Sequence, residues 1–195
     1  MSPAATTTKD RLLKAAFEEF SKRGFAGARV DEIASRAGAN KALIYQYYGD
    51  KEALFKHVLE CKVQGMARIA TDDPDRFPEV IGDFFDFYAA NPGVIRLMSW
   101  EALDFGGKPV PNEAERKKHL GEHVGEIERF QTLGVIDTSI DARQLLVTLI
   151  GMVHIWFSLP QVARMVAGGN PYTSEALKTR RAHLVQVATK MLEVR

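Results

Sequence analysis

The stretch Lys41-Ala42-Leu43-Ile44-Tyr45-Gln46-Tyr47-Tyr48 places two side chains with base-reading chemistry five residues apart. A lysine can donate to the O6 and N7 of guanine, and a glutamine can pair bidentately with adenine. Each such contact discriminates against a wrong base by about 1–3 kcal/mol. Arg29, Arg36 and Lys51 set further positive charge around this stretch.

A second motif, His119-Leu120-Gly121-Glu122-His123, fits H-x-x-E-H. In that pattern two histidines on one helix face ligate zinc and the glutamate serves as a base. Nothing in the sequence identifies a third ligand, and the plainer reading is two surface histidines on a charged helix. No nucleophile–base pair or phosphate-cradling loop is visible, so no enzyme, cofactor or metal is expected. A metal-dependent enzyme using His119, Glu122 and His123 stands as the remote alternative. A third group is aromatic and sulfur-rich: Phe84, Phe85, Tyr88, Met98, Trp100, Phe130, Met152 and Trp156, with Glu101 and His154 as its polar members. At helical spacing such residues build either plain core or the wall of an apolar pocket.

The elements that must position these residues all have a helical period. Leu12, Leu13, Ala16, Phe17 and Phe20 form one stripe, and Gly24 after Lys22-Arg23 is a stop signal. Val30, Ile33, Ala34 and Ala37 form a second, shorter stripe ended by Gly38. Asn40 is a good N-cap for a third helix, Lys41 to about Tyr48, and Asp50 for a fourth that starts at Lys51. Further helices are expected over 77–90, 94–105, 113–133, 141–159 and from a Ser174 cap onward. No alternating strand is present, so the class is all-α with about nine helices. The apolar run Leu145–Leu159 is 15 residues long, short of the roughly 18–20 that a membrane span needs, so no membrane association is expected.

Composition agrees. The 195 residues are 46% hydrophobic and 26% charged, the balance of a folded globular chain, with a net charge of +1. That charge excludes a simple polybasic nucleic-acid binder. It is uneven, however: residues 1–65 carry 11 Lys and Arg against 8 Asp and Glu, a net of +3. The single Cys61 excludes an intramolecular disulfide and suits the cytoplasm. Residues 1–8 lack the apolar run of a secretory signal.

Two short helices joined by Ala37-Gly38-Ala39-Asn40 have the proportions of a helix-turn-helix. Val30, Ile33, Ala34, Ile44 and Tyr48 would pack the pair on the first helix, leaving one face of 41–47 outward and sized for a major groove. Gly24-Phe25, Val30-Asp31-Glu32-Ile33-Ala34-Ser35-Arg36-Ala37-Gly38 and Asn40 through Leu54 resemble the TetR family of bacterial transcriptional regulators. The resemblance is close over residues 9–60. It is looser in the body, where Asn91-Pro92-Gly93-Val94-Ile95-Arg96-Leu97-Met98, Trp100-Glu101 and the last two helices carry it.

The resemblance implies an all-α cytoplasmic homodimer, most often a repressor. It implies a DNA-binding domain over 1–50 and an effector-binding and dimerisation domain over 51–195. It also implies roles by position. Tyr45 and Lys51 hold phosphates, Tyr47 touches the DNA backbone, and Lys41, Ala42 and Gln46 reach base edges or phosphates. Asn40 opens the recognition helix, and Tyr48 takes the place of a core phenylalanine. Two departures stand out. Ala28 and Arg29 replace the usual Thr or Ser, so a helix cap worth about 0.5–2 kcal/mol is missing unless something compensates, and Arg29 can offer phosphate a charged contact. Leu43 replaces the usual Thr and can meet a thymine methyl instead. In such a body the aromatic group is expected to line an effector pocket, and helices 141–159 and 174–192 to pair with their two-fold mates as a four-helix bundle. The partners implied are a double-stranded operator, a second copy and a small-molecule effector. The alternative is a helical ligand-binding or adaptor protein that does not bind DNA.

Overall fold

The computed structural model describes residues 7–66, 69 and 71–192. Ten α-helices follow one another: α1 Thr8–Gly27, α2 Val30–Ala37, α3 Lys41–Tyr48, α4 Lys51–Met66, α5 Phe77–Ala90, α6 Pro92–Phe105, α7 Glu113–Thr132, α8 Ala142–Ser158, α9 Pro160–Ala167 and α10 Ser174–Leu192. A single 3-10 turn, Pro74–Arg76, precedes α5. There is no strand among the described residues.

The expected caps at Asn40 and Asp50 form, and Asp141 caps α8. Their side chains accept the N–H groups of Ala42, Ala53 and Gln144 at 2.8, 2.7 and 2.9 Å. The α10 cap is displaced by one residue, because Thr173 Oγ1 rather than Ser174 accepts the Ala176 N–H. One helix beyond the expected nine is α9. Pro160 supplies its first residue, where a missing N–H is no loss. α8 and α9 meet at a bend of 84°. No single helix among the described residues is long and apolar enough to cross a membrane.

The chain divides into two compact units. The first takes in residues 1–64 and 93–113, and the second 65–92 and 114–195. The unit that holds α1–α3 therefore reaches past residue 50 and includes nearly all of α6. Its core is Leu12, Ala16, Phe20, Ile33, Ile44, Leu54, Phe55 and Leu97, each buried. Phe20, Phe25, Phe55 and Phe105 form a chain of ring contacts through it.

In the second unit α5 packs on α10 and α8. Phe77, Val80, Ile81, Phe85, Leu145, Leu149, Val153, Phe157, Leu184 and Ala188 are buried. Arg181 on α10 binds Asp86, Glu79 and Asp83 of α5 at 2.6, 3.0 and 3.3 Å. A Cβ at Gly82 would lie 2.7 Å from the Arg181 guanidinium carbon, so a side chain there would push the guanidinium from its place.

Candidate nucleic-acid interface

Two short helices define the interface. α2 ends where Gly38 takes left-handed torsions, φ 58° and ψ 43°, and returns its N–H to Ala34 and Ser35. α3 then starts on the Asn40 cap. Ile44 is wholly buried and anchors α3 to the core, while Tyr45 and Tyr47 remain 47% and 43% exposed. Asn40, Lys41, Ala42 and Gln46 are exposed alongside them. Leu43 is half-buried and packs against the core, so it turns only partly outward. Tyr48 also packs there. It donates its hydroxyl to the Lys9 carbonyl at 3.4 Å, and burial pushes the pKa of that hydroxyl up to about 12.

The missing hydroxyl cap at Arg29 is confirmed, since no side chain caps α2 from that position. A carboxylate from α1 meets the backbone just ahead of α2 instead. Glu19 is fully enclosed, and its carboxylate accepts the Arg29 N–H at 3.4 Å. It also binds Arg23 at 3.1 Å and Arg36 at 3.3 Å. Local pattern reading misses this carboxylate because Glu19 sits in a helix whose neighbours look merely amphipathic.

Lys41 does not point out alone. Its ammonium lies 2.8 Å from Asp31 Oδ1 on α2. The Lys41 hydrogen bond holds the Asp31 carboxyl below the usual range, and the same bond raises the lysine. Lys51 donates to the Ala26 carbonyl at 3.3 Å and stands 5.0 Å from the Phe25 ring centre. Gly24 breaks α1 with φ 70° and ψ −179°. There the Trp100 ring fills the space a side chain would need, since a Cβ at Gly24 would lie 2.8 Å from it. Asp104 accepts the Phe25 and Ala26 N–H groups at 2.8 and 3.4 Å.

The residues expected to line a pocket fall in both units. Met98, Trp100 and Glu101 belong to the first. There Met98 is half-buried and Glu101 is buried. The others belong to the second. Phe85 meets Phe157 at 5.0 Å, and Phe130 meets Phe77 edge-on at 5.3 Å. Phe84 lies edge-on to His123. The Tyr88 hydroxyl and His154 Nε2 are 2.8 Å apart. Burial raises the Tyr88 hydroxyl and lowers the His154 imidazole, so both stay neutral near pH 7. Arg180 donates to the Met152 carbonyl at 2.8 Å and lies over the Trp156 ring, whose N–H goes to the Pro171 carbonyl.

The histidines of the zinc-like motif pair with carboxylates of their own helix: His119 with Glu122 at 3.2 Å, and His123 with Glu126 at 3.5 Å. His123 is not the surface histidine expected, because it is half-buried against Phe84. Among the described residues no three His, Cys, Asp or Glu side chains are grouped to hold a metal ion.

Comparison with known proteins agrees with this geometry. Residues 12–58 match the family model of bacterial regulatory proteins, tetR family, and residues 77–190 match that of the tetracyclin repressor-like C-terminal domain. The chain is 40% identical over 171 residues to the HTH-type transcriptional repressor SCO4008 of Streptomyces coelicolor, covering 88% of this chain and 89% of the relative. It is 32% identical over 147 residues to the HTH-type transcriptional repressor NicS of Pseudomonas putida, covering 72% and 65%. The crystal structure of SCO4942 from Streptomyces coelicolor superposes with a TM-score of 0.81 at 30% identity, covering 95% of this chain and 98% of that one.

Proposed function

The chain belongs to the TetR family of bacterial transcriptional regulators, and from that premise we propose that it represses transcription in the cytoplasm as a homodimer on a near-palindromic operator, from which a small-molecule effector releases it. The observation that carries the DNA-binding part is the two-sidedness of α3: Ile44 is sealed in the core while Tyr45, Gln46 and Tyr47 face solvent. In this reading Gln46 and Lys41 read bases, with Ala42 and the outward part of Leu43 against them. Tyr45, Tyr47, Arg29 and Lys51 hold phosphates. Asn40 fixes the start of the helix.

The homodimer reading is supported by α8. Leu145, Leu149, Val153 and Phe157 are buried, whereas Val147 and Ile155 are 64% and 41% exposed, with Gly151 exposed between them. The exposed residues recur every fourth position and make a second stripe suited to a like helix. A two-fold dimer sets two recognition helices about 34–36 Å apart in successive major grooves.

For the effector we propose the aromatic part of the second unit around Phe85, Tyr88, Met152, His154 and Trp156, where the Tyr88–His154 pair offers polar groups within an apolar wall. The effector can release DNA only through a higher affinity for a conformation that binds the operator poorly.

The test is selection of duplexes from a random library by the purified protein. A gel shift on the enriched duplex follows, with random duplex as competitor. Enrichment of an inverted repeat bound two chains per duplex is expected; no enrichment of any sequence overturns the proposal.

A further inference from the structure

We propose that Asp31 is a specificity-determining residue for DNA binding: it holds Lys41 in a neutral pair at the start of α3, so that Lys41 serves base reading and adds little to sequence-independent attraction. The inference rests on the DNA-binding reading above and adds to it an acidic residue that the reading leaves out.

The geometry carries it. The pair spans the turn of the helix-turn-helix, from the first turn of α2 to the first residue of α3, at 2.8 Å. Both side chains are solvent-facing, 45% exposed for Lys41 and 62% for Asp31, so the pair lies where a duplex would approach. An ammonium has three N–H donors. Asp31 takes one, which leaves donors for guanine O6 and N7 while the pair stays intact.

A phosphate is a different partner. Lys41 can neutralise one only by leaving Asp31, or by bringing the carboxylate along beside a second negative charge. At a non-cognate site no base contact compensates for either. Lys51 contrasts with this, because a carbonyl and an aromatic face hold it without cancelling its charge. Asp31 thus withdraws one cation from the count that governs non-specific affinity and leaves its hydrogen-bonding capacity in place.

The experiment compares the wild-type protein, Asp31→Asn and Asp31→Glu on two probes: the duplex enriched by wild-type protein from a random library, and a random-sequence duplex of equal length. Binding is measured from 50 to 200 mM salt. Freeing one lysine for phosphate steepens the dependence of log K on log salt by about 0.9 for each head engaged. Asp31→Asn is therefore expected to steepen the random-duplex slope by that amount and to tighten random-duplex binding about threefold or more at the low-salt end. The enriched duplex gains less, so the specificity ratio falls. Asp31→Glu restores slope and ratio, because a carboxylate is again in reach. A merely structural role would weaken both probes alike and leave the slope in place, and that result overturns the proposal.

The double variant Asp31→Asn/Lys41→Gln exchanges one neutral pair for another and guards against a single variant that fails to fold. It must keep the random-duplex slope and lose affinity on the enriched duplex; a flatter slope refutes the assignment. If wild-type protein enriches no duplex, the DNA-binding reading falls with this one. If it does, and slope and ratio ignore Asp31→Asn, only the role of Asp31 falls.

Discussion

Glu19 is a fully enclosed carboxylate that serves two arginines and the N–H of Arg29, the residue just before α2. Removing its charge strands no cation in the interior, because Arg23 and Arg36 are 47% and 34% exposed and can rehydrate. The cost should thus fall below the 3–5 kcal/mol typical when a buried pair loses one partner. Glu19→Gln keeps an acceptor for the Arg29 N–H and loses the ion pairs, whereas Glu19→Ala also leaves that N–H unmet. We expect destabilisation of about 1–3 kcal/mol for Glu19→Ala and less for Glu19→Gln, read from urea unfolding followed by circular dichroism. Equal losses for both would assign the effect to packing instead of the carboxylate. The missing hydroxyl at Arg29 is legible in the sequence, but the carboxylate that meets the Arg29 N–H is not. A cap such as Asn40 acts on its own turn, while Glu19 reaches residues 10 and 17 positions away, and only the packing of α1 on α2 brings them together. The Lys41–Asp31 pair is hidden for the same reason.

At the scale of the helix, α3 divides its labour by face. Gln46 is exposed on α3 itself, and Lys51 opens the next helix against the Gly24 kink. A base-reading side chain and a phosphate-holding one differ in how their loss depends on sequence and salt. Gln46→Ala is expected to cost about 1–3 kcal/mol on the enriched duplex, relax preference at one position of each half-site and leave random-duplex binding nearly unchanged. Lys51→Ala is expected to weaken all sequences similarly and flatten the salt slope by about 0.9 per head. Competition gel shifts across salt concentrations separate the two, and a Gln46→Ala loss equal on both probes would remove it from base reading. The helices themselves are legible because apolar period, caps and glycine stops agree along α1 to α4. α9 is not, because Pro160 reads as an end when it is also a permitted first residue. The role of Trp100 is equally hidden: its ring fills the space beside Gly24, a contact no local pattern contains.

For the whole molecule, the question is what covers the outer stripe of α8. Val147 and Ile155 lie on it with Gly151 between them, and nothing within 4 Å would meet a Cβ at Gly151. A helix can therefore approach the backbone closely there. A single chain derives no benefit from Val147 and Ile155 in water, whereas a two-fold mate would cover both stripes at once and double every such contact. Such a dimer would in turn make the second DNA half-site an intramolecular event, which typically strengthens binding by about 10²–10⁴. Ile155→Glu places two carboxylates against each other across the axis without touching the inward stripe of Leu149 and Val153. We expect a chain that keeps its helical circular dichroism and shifts from dimer to monomer in light scattering. It should lose about a hundredfold or more in affinity for the enriched duplex while binding random duplex through single heads. Retained dimers with full operator affinity would mean that the stripe is not the contact between chains, and that the two heads are joined through another face.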